Sequence, residues 1–260
     1  MDLQLRDKVV LVTGGAKGIG AAIVRAASSE GAIPVIVDRD EAAGKLLQDE
    51  LRNSGAGSEL VVVDLATSAG CSQAIVETHQ RRGRLDVLVN NAGCNDRAGL
   101  EDGSPERFVR SLESNLLHYF NLAHYALPYL KSSRGSIVNI SSKVAVTGQG
   151  GTSGYAASKG AIFGLTREWA AELFPHGIRV NSVVPAEVMT PLYRQWLDSF
   201  PNPQEKLNAI LSRIPLGKRM TQPEEIAAMV MFLISAKAGH ITGQHLFVDG
   251  GYVHLDRALT

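Results

Sequence analysis

The chain has 260 residues, 45% hydrophobic and 20% charged, enough to bury a sizeable core within one large domain. Its 26 basic and 26 acidic residues balance and are scattered, which excludes an extended polyanion-binding face and argues against a nucleic-acid partner. The first residues are polar and charged (Asp2, Gln4, Arg6, Asp7, Lys8) and no apolar stretch reaches membrane-spanning length, so a soluble, cytoplasmic protein with no membrane partner is expected.

Residues 8–13 are a short apolar, β-branched run that ends in Gly14-Gly15-Ala16-Lys17-Gly18-Ile19-Gly20, and 21–30 has a helical pattern. Strand, glycine-rich turn and helix in that order suit a diphosphate: glycines allow close backbone approach, and the helix N-terminus offers unpaired N–H groups with a partial positive charge. The spacing Gly14-x-x-x-Gly18-x-Gly20 is not the G-x-G-x-x-G fingerprint, although the physics is shared. The next strand, 33–37, ends in Asp38, eighteen residues after Gly20, where a carboxylate accepts hydrogen bonds from the adenosine ribose and repels a 2′-phosphate. NAD is therefore expected, with NADP left open by Lys17 and Arg39, either of which could meet that phosphate.

The alternation continues with a helix over 41–52, a strand over 59–63 ending at Asp64 and Leu65, a helix over 68–81 and a strand over 87–89 closed by Asn90-Asn91-Ala92-Gly93. Asp64 and Leu65 fall at a strand's C-terminal end, where a parallel sheet opens its ligand crevice, so they are assigned to the adenine; for Asp64 a helix cap is the alternative. Residues 90–93 are read as support for the strand order and the cofactor ribose. A longer helix after Pro105 carries Phe108, Leu112, Leu116, Leu117 and Phe120 on an apolar face that includes Asn115, whose amide either knits the core or holds a proton-relaying water.

Residues 135–142 read as a strand delivering hydroxyls to its end, 154–173 as a helix, and 178–184 as a strand that stops at Pro185-Ala186-Glu187-Val188-Met189-Thr190. Residues 191–213, with Tyr193, Trp196, Leu197, Phe200 and Leu207 between prolines, read as an irregular helical insertion: a lid over the crevice, or packing against a neighbouring subunit. A helix over 223–235 and a closing strand and turn over 246–251 complete one doubly wound α/β domain spanning 1–260, with no repeats or linker. Cys71 and Cys94 lack C-x-x-C spacing and read as free thiols, and the seven histidines include no H-E-x-x-H, so no metal is expected.

Tyr155 and Lys159 lie four residues apart in helix-favouring sequence, on one helical face. A phenol of ordinary pKa about 10 is a poor proton-transfer group near neutrality, and a fixed lysine charge is expected to lower it. A shift of roughly three units takes about 4 kcal/mol, to which an oxidised nicotinamide would add.

With Thr13-Gly14-x-x-x-Gly18-x-Gly20, Asn90-Asn91-Ala92-Gly93, Asn115, Ser142 and Tyr155-x-x-x-Lys159 in order, the chain resembles the short-chain dehydrogenase/reductases over essentially its full length. The resemblance implies a seven-stranded parallel sheet of Rossmann type, a nicotinamide cofactor, a small-molecule substrate and often a homotetramer. It implies that Tyr155 is the general base, that Ser142 holds the substrate oxygen, that Lys159 tunes the phenol and binds the nicotinamide ribose, and that Asn115 positions a water. For Ser142 alone, a strand-end cap is the other reading. The cofactor set is Gly14, Lys17, Gly18, Ile19, Gly20, Asp38, Arg39, Asp64, Leu65, Asn91, Ala92, Gly93, Tyr155, Lys159, Pro185, Val188 and Thr190.

Residues 148–150, 185–193 and 251–257 are similar to the bacterial L-fucose dehydrogenases of that family, which oxidise a sugar at its anomeric carbon to a lactone. The family usually has glycine after Pro185; Ala186-Glu187 departs from this and puts a carboxylate beside the nicotinamide pocket, where a hydroxyl-rich ligand would meet it. The substrate set is Asn95, Ser142, Gln149, Tyr155, Glu187, Tyr193 and Trp196, with Asn95, Gln149 and Glu187 as a polar wall. For Glu187 a salt bridge to the tail or to Arg194 is the alternative. A ketone, hydroxysteroid or 3-oxoacyl reductase is the runner-up, and a non-catalytic dinucleotide sensor fits poorly while Ser142, Tyr155 and Lys159 are all present.

Overall fold

The computed structural model describes residues 2–255. Seven short, mostly buried runs form the strands: β1 (Val9–Thr13), β2 (Ile33–Asp38), β3 (Glu59–Val62), β4 (Val87–Asn90), β5 (Ser136–Ile140), β6 (Arg179–Pro185) and β7 (His245–Val248). All pair in parallel, in the order β3-β2-β1-β4-β5-β6-β7. Parallel neighbours need crossover connections, so helices cover both faces and strand residues are apolar on both sides. Val10 and Val12 enter a core under α1 (Gly18–Ser29), α2 (Glu41–Asn53) and α9 (Pro223–Ile234). Val9 and Leu11 enter the opposite core, under α3 (Ser68–Arg82), α5 (His118–Ser133) and α6 (Ser153–Leu173). The remaining helices are α4 (Pro105–Leu112), α7 (Pro191–Leu197) and α8 (Pro203–Leu211). The strand order reverses direction between β1 and β4, and that switch point opens a crevice at the C-terminal edge.

The helix expected after Pro105 is not continuous. A π turn at Glu113–Leu117 separates α4 from α5, and the buried stripe runs through Ser111, Asn115, His118, Tyr119 and Leu122. Phe108, Leu117 and Phe120, expected on the buried face, are 38%, 49% and 53% exposed. Polar side chains took the inner positions because they find partners there: Asn115 donates through Nδ2 to the Ser111 carbonyl at 3.0 Å, and Tyr119 donates to the Ile140 carbonyl at 2.8 Å. A π turn widens the backbone locally, and here it falls on Asn115 itself.

A second buried polar link ties the middle of the sheet to α6. Asn90 Nδ2 donates to Asn139 Oδ1, and Asn139 Nδ2 donates to Thr166 Oγ1, each at 3.0 Å. Asn139→Ala should strand both neighbours and cost about 2 kcal/mol, lowering the melting temperature by roughly 5 °C. Thermal unfolding followed by circular dichroism checks this; an unchanged midpoint would mean that the link contributes nothing net.

Candidate active site

The glycine turn is fastened to the end of β4. Thr13 Oγ1 accepts from the N–H groups of Asn91 at 2.9 Å and Ala92 at 3.0 Å, while Asn91 Nδ2 donates to the Thr13 carbonyl at 2.8 Å and that of Gly14 at 3.2 Å. Asn91 is thus committed to holding the turn. A Cβ on Gly20 would stand 2.1 Å from the Gly14 oxygen, and one on Gly18, whose φ is +55°, would press on Thr190 at 3.3 Å. Only bare backbone fits this cradle, which is the shape a dinucleotide diphosphate requires. Ile19 is half-buried against the core below.

Asp38 ends β2 and is engaged twice: Oδ2 accepts from Ala16 N at 3.1 Å and Oδ1 from Asp40 N at 3.0 Å. Each oxygen keeps a free acceptor site for a ribose hydroxyl. Lys17 pairs with Asp40, and that hydrogen bond and charge raise the Lys17 ammonium above its ordinary pKa. Arg39 is exposed and has no ionic partner among the described residues. Asp64 is not the cap of α3: it accepts from Ala66 N at 3.0 Å, while Thr67 caps the helix through Gly70 N at 3.0 Å. Leu65 is buried beside it. Pro185 and Val188 are buried at the end of β6, and Thr190 caps α7 by accepting from Tyr193 N at 3.2 Å.

Tyr155 and Lys159 enter from the first turns of α6, and Ser142 follows β5. The Lys159 ammonium is 3% exposed as a residue and donates to the Ile140 carbonyl at 2.9 Å and the Tyr119 hydroxyl at 3.1 Å, with Nζ 5.6 Å from the centre of the Tyr155 ring. Asn115 Oδ1 accepts from Cys94 N at 2.8 Å, and a Cβ on Gly93 would lie 2.9 Å from that same oxygen and 3.7 Å from Lys159 Nζ. Gly93 is therefore the gap through which the two groups approach each other. Ser142 also caps the short helix Lys143–Ala145 through Val144 N at 3.4 Å, so the strand-end role and a place beside the phenol coexist.

The electrostatics differ from the sequence-based expectation. Burial pushes the Tyr155 phenol up to about 12, opposed by its hydrogen bond with Ser142, and pushes Lys159 down to about 7. Desolvation is the larger influence on both groups, acting on a buried Lys159 and a half-buried Tyr155. Bringing the phenol from about 12 to neutrality takes about 7 kcal/mol, nearly twice what the sequence-based reading required. Tyr119 was missed as the support of Lys159. Its signal is the four-residue step from Asn115, which puts both on one helical face. His118, buried beside it, is held down to about 4 by burial and by the Lys159 charge.

Lys143, the residue after Ser142, forms an ion pair with Glu187, and the Tyr193 hydroxyl donates to Glu187 Oε2 at 2.6 Å. The alternative partner for Glu187 was the tail or Arg194; the cation is instead Lys143, and the tail contributes Tyr252, whose ring centre lies 4.1 Å from Lys143 Nζ. Asp256 and Arg257, also read as part of that tail, lie outside the described residues. Trp196 packs edge-on against Tyr193 with centroids 5.0 Å apart. Asn95 and Gln149 are exposed, and Asn95 accepts from Arg97 N at 3.2 Å within its own loop; neither bonds to Glu187. Lys143 was missed, although it follows Ser142 directly. Among the described residues no cluster of three or more His, Cys, Asp or Glu is placed to hold a metal, and no helix is long and apolar enough to cross a membrane.

Residues 14–253 match a family model described as enoyl-(acyl carrier protein) reductase. L-fucose dehydrogenase of Mus musculus is 42% identical over 245 residues, covering 94% of this chain and 88% of that protein. The crystal structure of Cj0485 dehydrogenase superposes with a TM-score of 0.94 at 46% identity, covering 100% of this chain and 99% of that one. The ligand-free aldohexose dehydrogenase of Thermoplasma acidophilum does so with a TM-score of 0.88 at 34% identity, over 97% and 96%. With the glycine cradle, the strand-end serine and the Tyr155/Lys159 pair meeting at one crevice, the chain belongs to the short-chain dehydrogenase/reductases, oxidoreductases of CH–OH groups that use a nicotinamide dinucleotide.

Proposed function

We propose that this protein is an NAD-dependent sugar dehydrogenase that oxidises an aldose of the L-fucose type at C1 to its lactone. The observation that carries the reading is the flank of the site: beside Ser142 stands a nearly buried carboxylate–ammonium pair, Glu187 and Lys143, where an apolar substrate would leave charges to be desolvated for nothing. The relatives that act on L-fucose and on aldohexoses support the same class.

The glycine turn and Asp38 would hold the dinucleotide, with Asp64 and Leu65 toward the adenine, Ala92 and Gly93 along the riboses and Pro185, Val188 and Thr190 on the far side. When bound, the oxidised nicotinamide supplies a hydride acceptor and a positive charge. Ser142 donates to the sugar oxygen and orients it, which matters because hydride transfer needs a near-attack geometry. Tyr155 takes the hydroxyl proton. The phenol and the Lys159 amine lie close enough to act as a coupled pair; once one proton has left it, the tautomer with phenolate and ammonium is the form that accepts the substrate proton. Asn115 and Gly93 line the path from Lys159 toward solvent. NAD is favoured because Lys17 is tied to Asp40, which leaves Arg39 as the cation against the Asp38 carboxylate. Helices α7 and α8 act as the lid, stiffened by Trp196 edge-on to Phe200 at 5.0 Å and by the Lys206 ammonium 4.9 Å from the Phe200 ring centre. Asn95 and Gln149 complete the pocket rim, and the functional unit is a homotetramer.

Tyr155→Phe should cut turnover by about 10²–10⁴ while dinucleotide binding, read by fluorescence titration, stays measurable; normal turnover would defeat the assignment. Asp38→Ala should raise the NADP-to-NAD ratio of kcat/KM roughly tenfold or more by removing a like charge from the 2′-phosphate site; an unchanged ratio would mean the ribose lies elsewhere. Because the acting base is the deprotonated form, the oxidation rate should rise with pH through about 7, where Lys159 titrates. Lys159→Met, leaving the desolvated phenol without its amine, should move that rise to more alkaline pH. A pH–rate profile unaltered by the substitution would exclude Lys159 from the base.

A further inference from the structure

Lys143 is the residue the sequence motifs do not explain. It is the first residue of the short helix that Ser142 caps, so its backbone position is set by the residue that would grip the reacting oxygen. Its side chain is 10% exposed and that of Glu187 12%, and they meet across the neighbouring ends of β5 and β6. Both are supported from behind: Glu187 by the Tyr193 hydroxyl and, through its backbone carbonyl, by Thr221 N at 2.9 Å; Lys143 by the face of Tyr252. An ion pair this little exposed is poor evidence for stability, since desolvating both charges offsets most of their attraction.

The pair also has unused capacity. An ammonium carries three N–H donors and a carboxylate about four acceptor sites. Glu187 uses Oε1 toward Lys143 and Oε2 toward Tyr193, and Lys143 commits one N–H to Glu187. A donor and an acceptor side by side at fixed spacing match two hydroxyls on adjacent carbons, one giving its hydrogen to the carboxylate and the other accepting from the ammonium. Neither charge has to leave its partner for this to happen.

We propose that Lys143 and Glu187 together form the specificity-determining subsite that reads a vicinal diol on the ring of the substrate, with Tyr193 and Tyr252 fixing the two charged groups. The assignment rests on the sugar-dehydrogenase reading above and deepens it: Ser142 and Tyr155 act on the reacting oxygen, and the ion pair selects the hydroxyl pattern away from it. A substrate lacking either hydroxyl leaves a desolvated charge without its extra partner, which is why the subsite discriminates strongly.

The test is a cross of variants and substrates on the full chain with dinucleotide. Lys143→Met, Glu187→Gln and the double variant are assayed against L-fucose, its 2-, 3- and 4-deoxy analogues, and cyclohexanol. Each variant should lose about 10- to 100-fold in kcat/KM for L-fucose, chiefly through KM. The double variant, which leaves no unpaired ion, should lose a similar amount. For the deoxy analogues that remove the recognised hydroxyls, wild type should already be poor and the variants should differ from it by less than about threefold. Dinucleotide affinity should be unchanged, and cyclohexanol, which lacks a vicinal hydroxyl, should lose far less than L-fucose. Equal losses on every substrate would make the pair structural and overturn the subsite, as would full L-fucose activity in the variants. Wild type that oxidises cyclohexanol but no aldose would overturn the sugar reading and the subsite with it; wild type active on L-fucose with indifferent variants would overturn the subsite alone.

Discussion

The desolvation of Lys159 is the constraint on which the site depends. Its ammonium lies among the Ile140 carbonyl, the Tyr119 hydroxyl and the Tyr155 ring, and burial lowers its pKa to about 7 while raising that of Tyr155 to about 12. A lysine that stayed fully charged at every working pH would be a fixed electrostatic aid and nothing more. In the proposed mechanism, one that titrates near neutrality trades a proton with the phenol four residues earlier on the same helix. The fold accepts the expense of burying an amine because two oxygen acceptors, one from β5 and one from α5, are already in place for it.

The rest of the architecture serves that placement. Parallel strands end together at one edge, so a residue just past the end of β5, a glycine turn after β1 and an acid at the end of β2 face the same crevice although they are far apart in sequence. The glycine contacts show how tight this convergence is. Gly20 packs on Gly14, Gly18 on Thr190, and Gly93 on Asn115 and Lys159, so backbone rather than side chain lines the junctions between the glycine turn, the Tyr155/Lys159 pair and the start of α7. Polar links behind them, Thr13 with Asn91 and Asn90 with Asn139 and Thr166, hold adjacent strands in register beneath the site.

Much of this could be read from the residues in order. The strand–turn–helix start, the βα alternation and the single seven-stranded sheet follow from local periodicity and punctuation, which are properties of contiguous sequence. The pairing of Lys143 with Glu187 was not legible, because it depends on β5 and β6 lying side by side and on both side chains turning toward the same space. The π turn escaped because counting apolar residues favoured Phe108, Leu117 and Phe120, whereas the interior selected Ser111, Asn115 and Tyr119, which satisfy one another or the sheet end. For Asp64 a helix cap stood as the alternative to the adenine because it precedes a helix; Thr67, three residues on, takes that cap instead. The direction of the Tyr155 shift was misjudged for a related reason. A sequence displays the charge beside the phenol but not how far folding desolvates it.

An amine that titrates near neutrality beside a phenol that stays protonated in the protein alone, the two becoming an ammonium–phenolate couple only when a further positive charge arrives, is the central claim. The most direct measurement is an ultraviolet difference titration of the Tyr155 phenolate, wild type minus Tyr155→Phe, with and without oxidised dinucleotide. The account predicts no phenolate from this residue below roughly pH 11 in the protein alone, in line with a phenol at about 12, and a phenolate signal near neutrality once the dinucleotide is bound. Identical titrations in the two states would contradict it, and so would a phenolate already present at neutral pH without the dinucleotide.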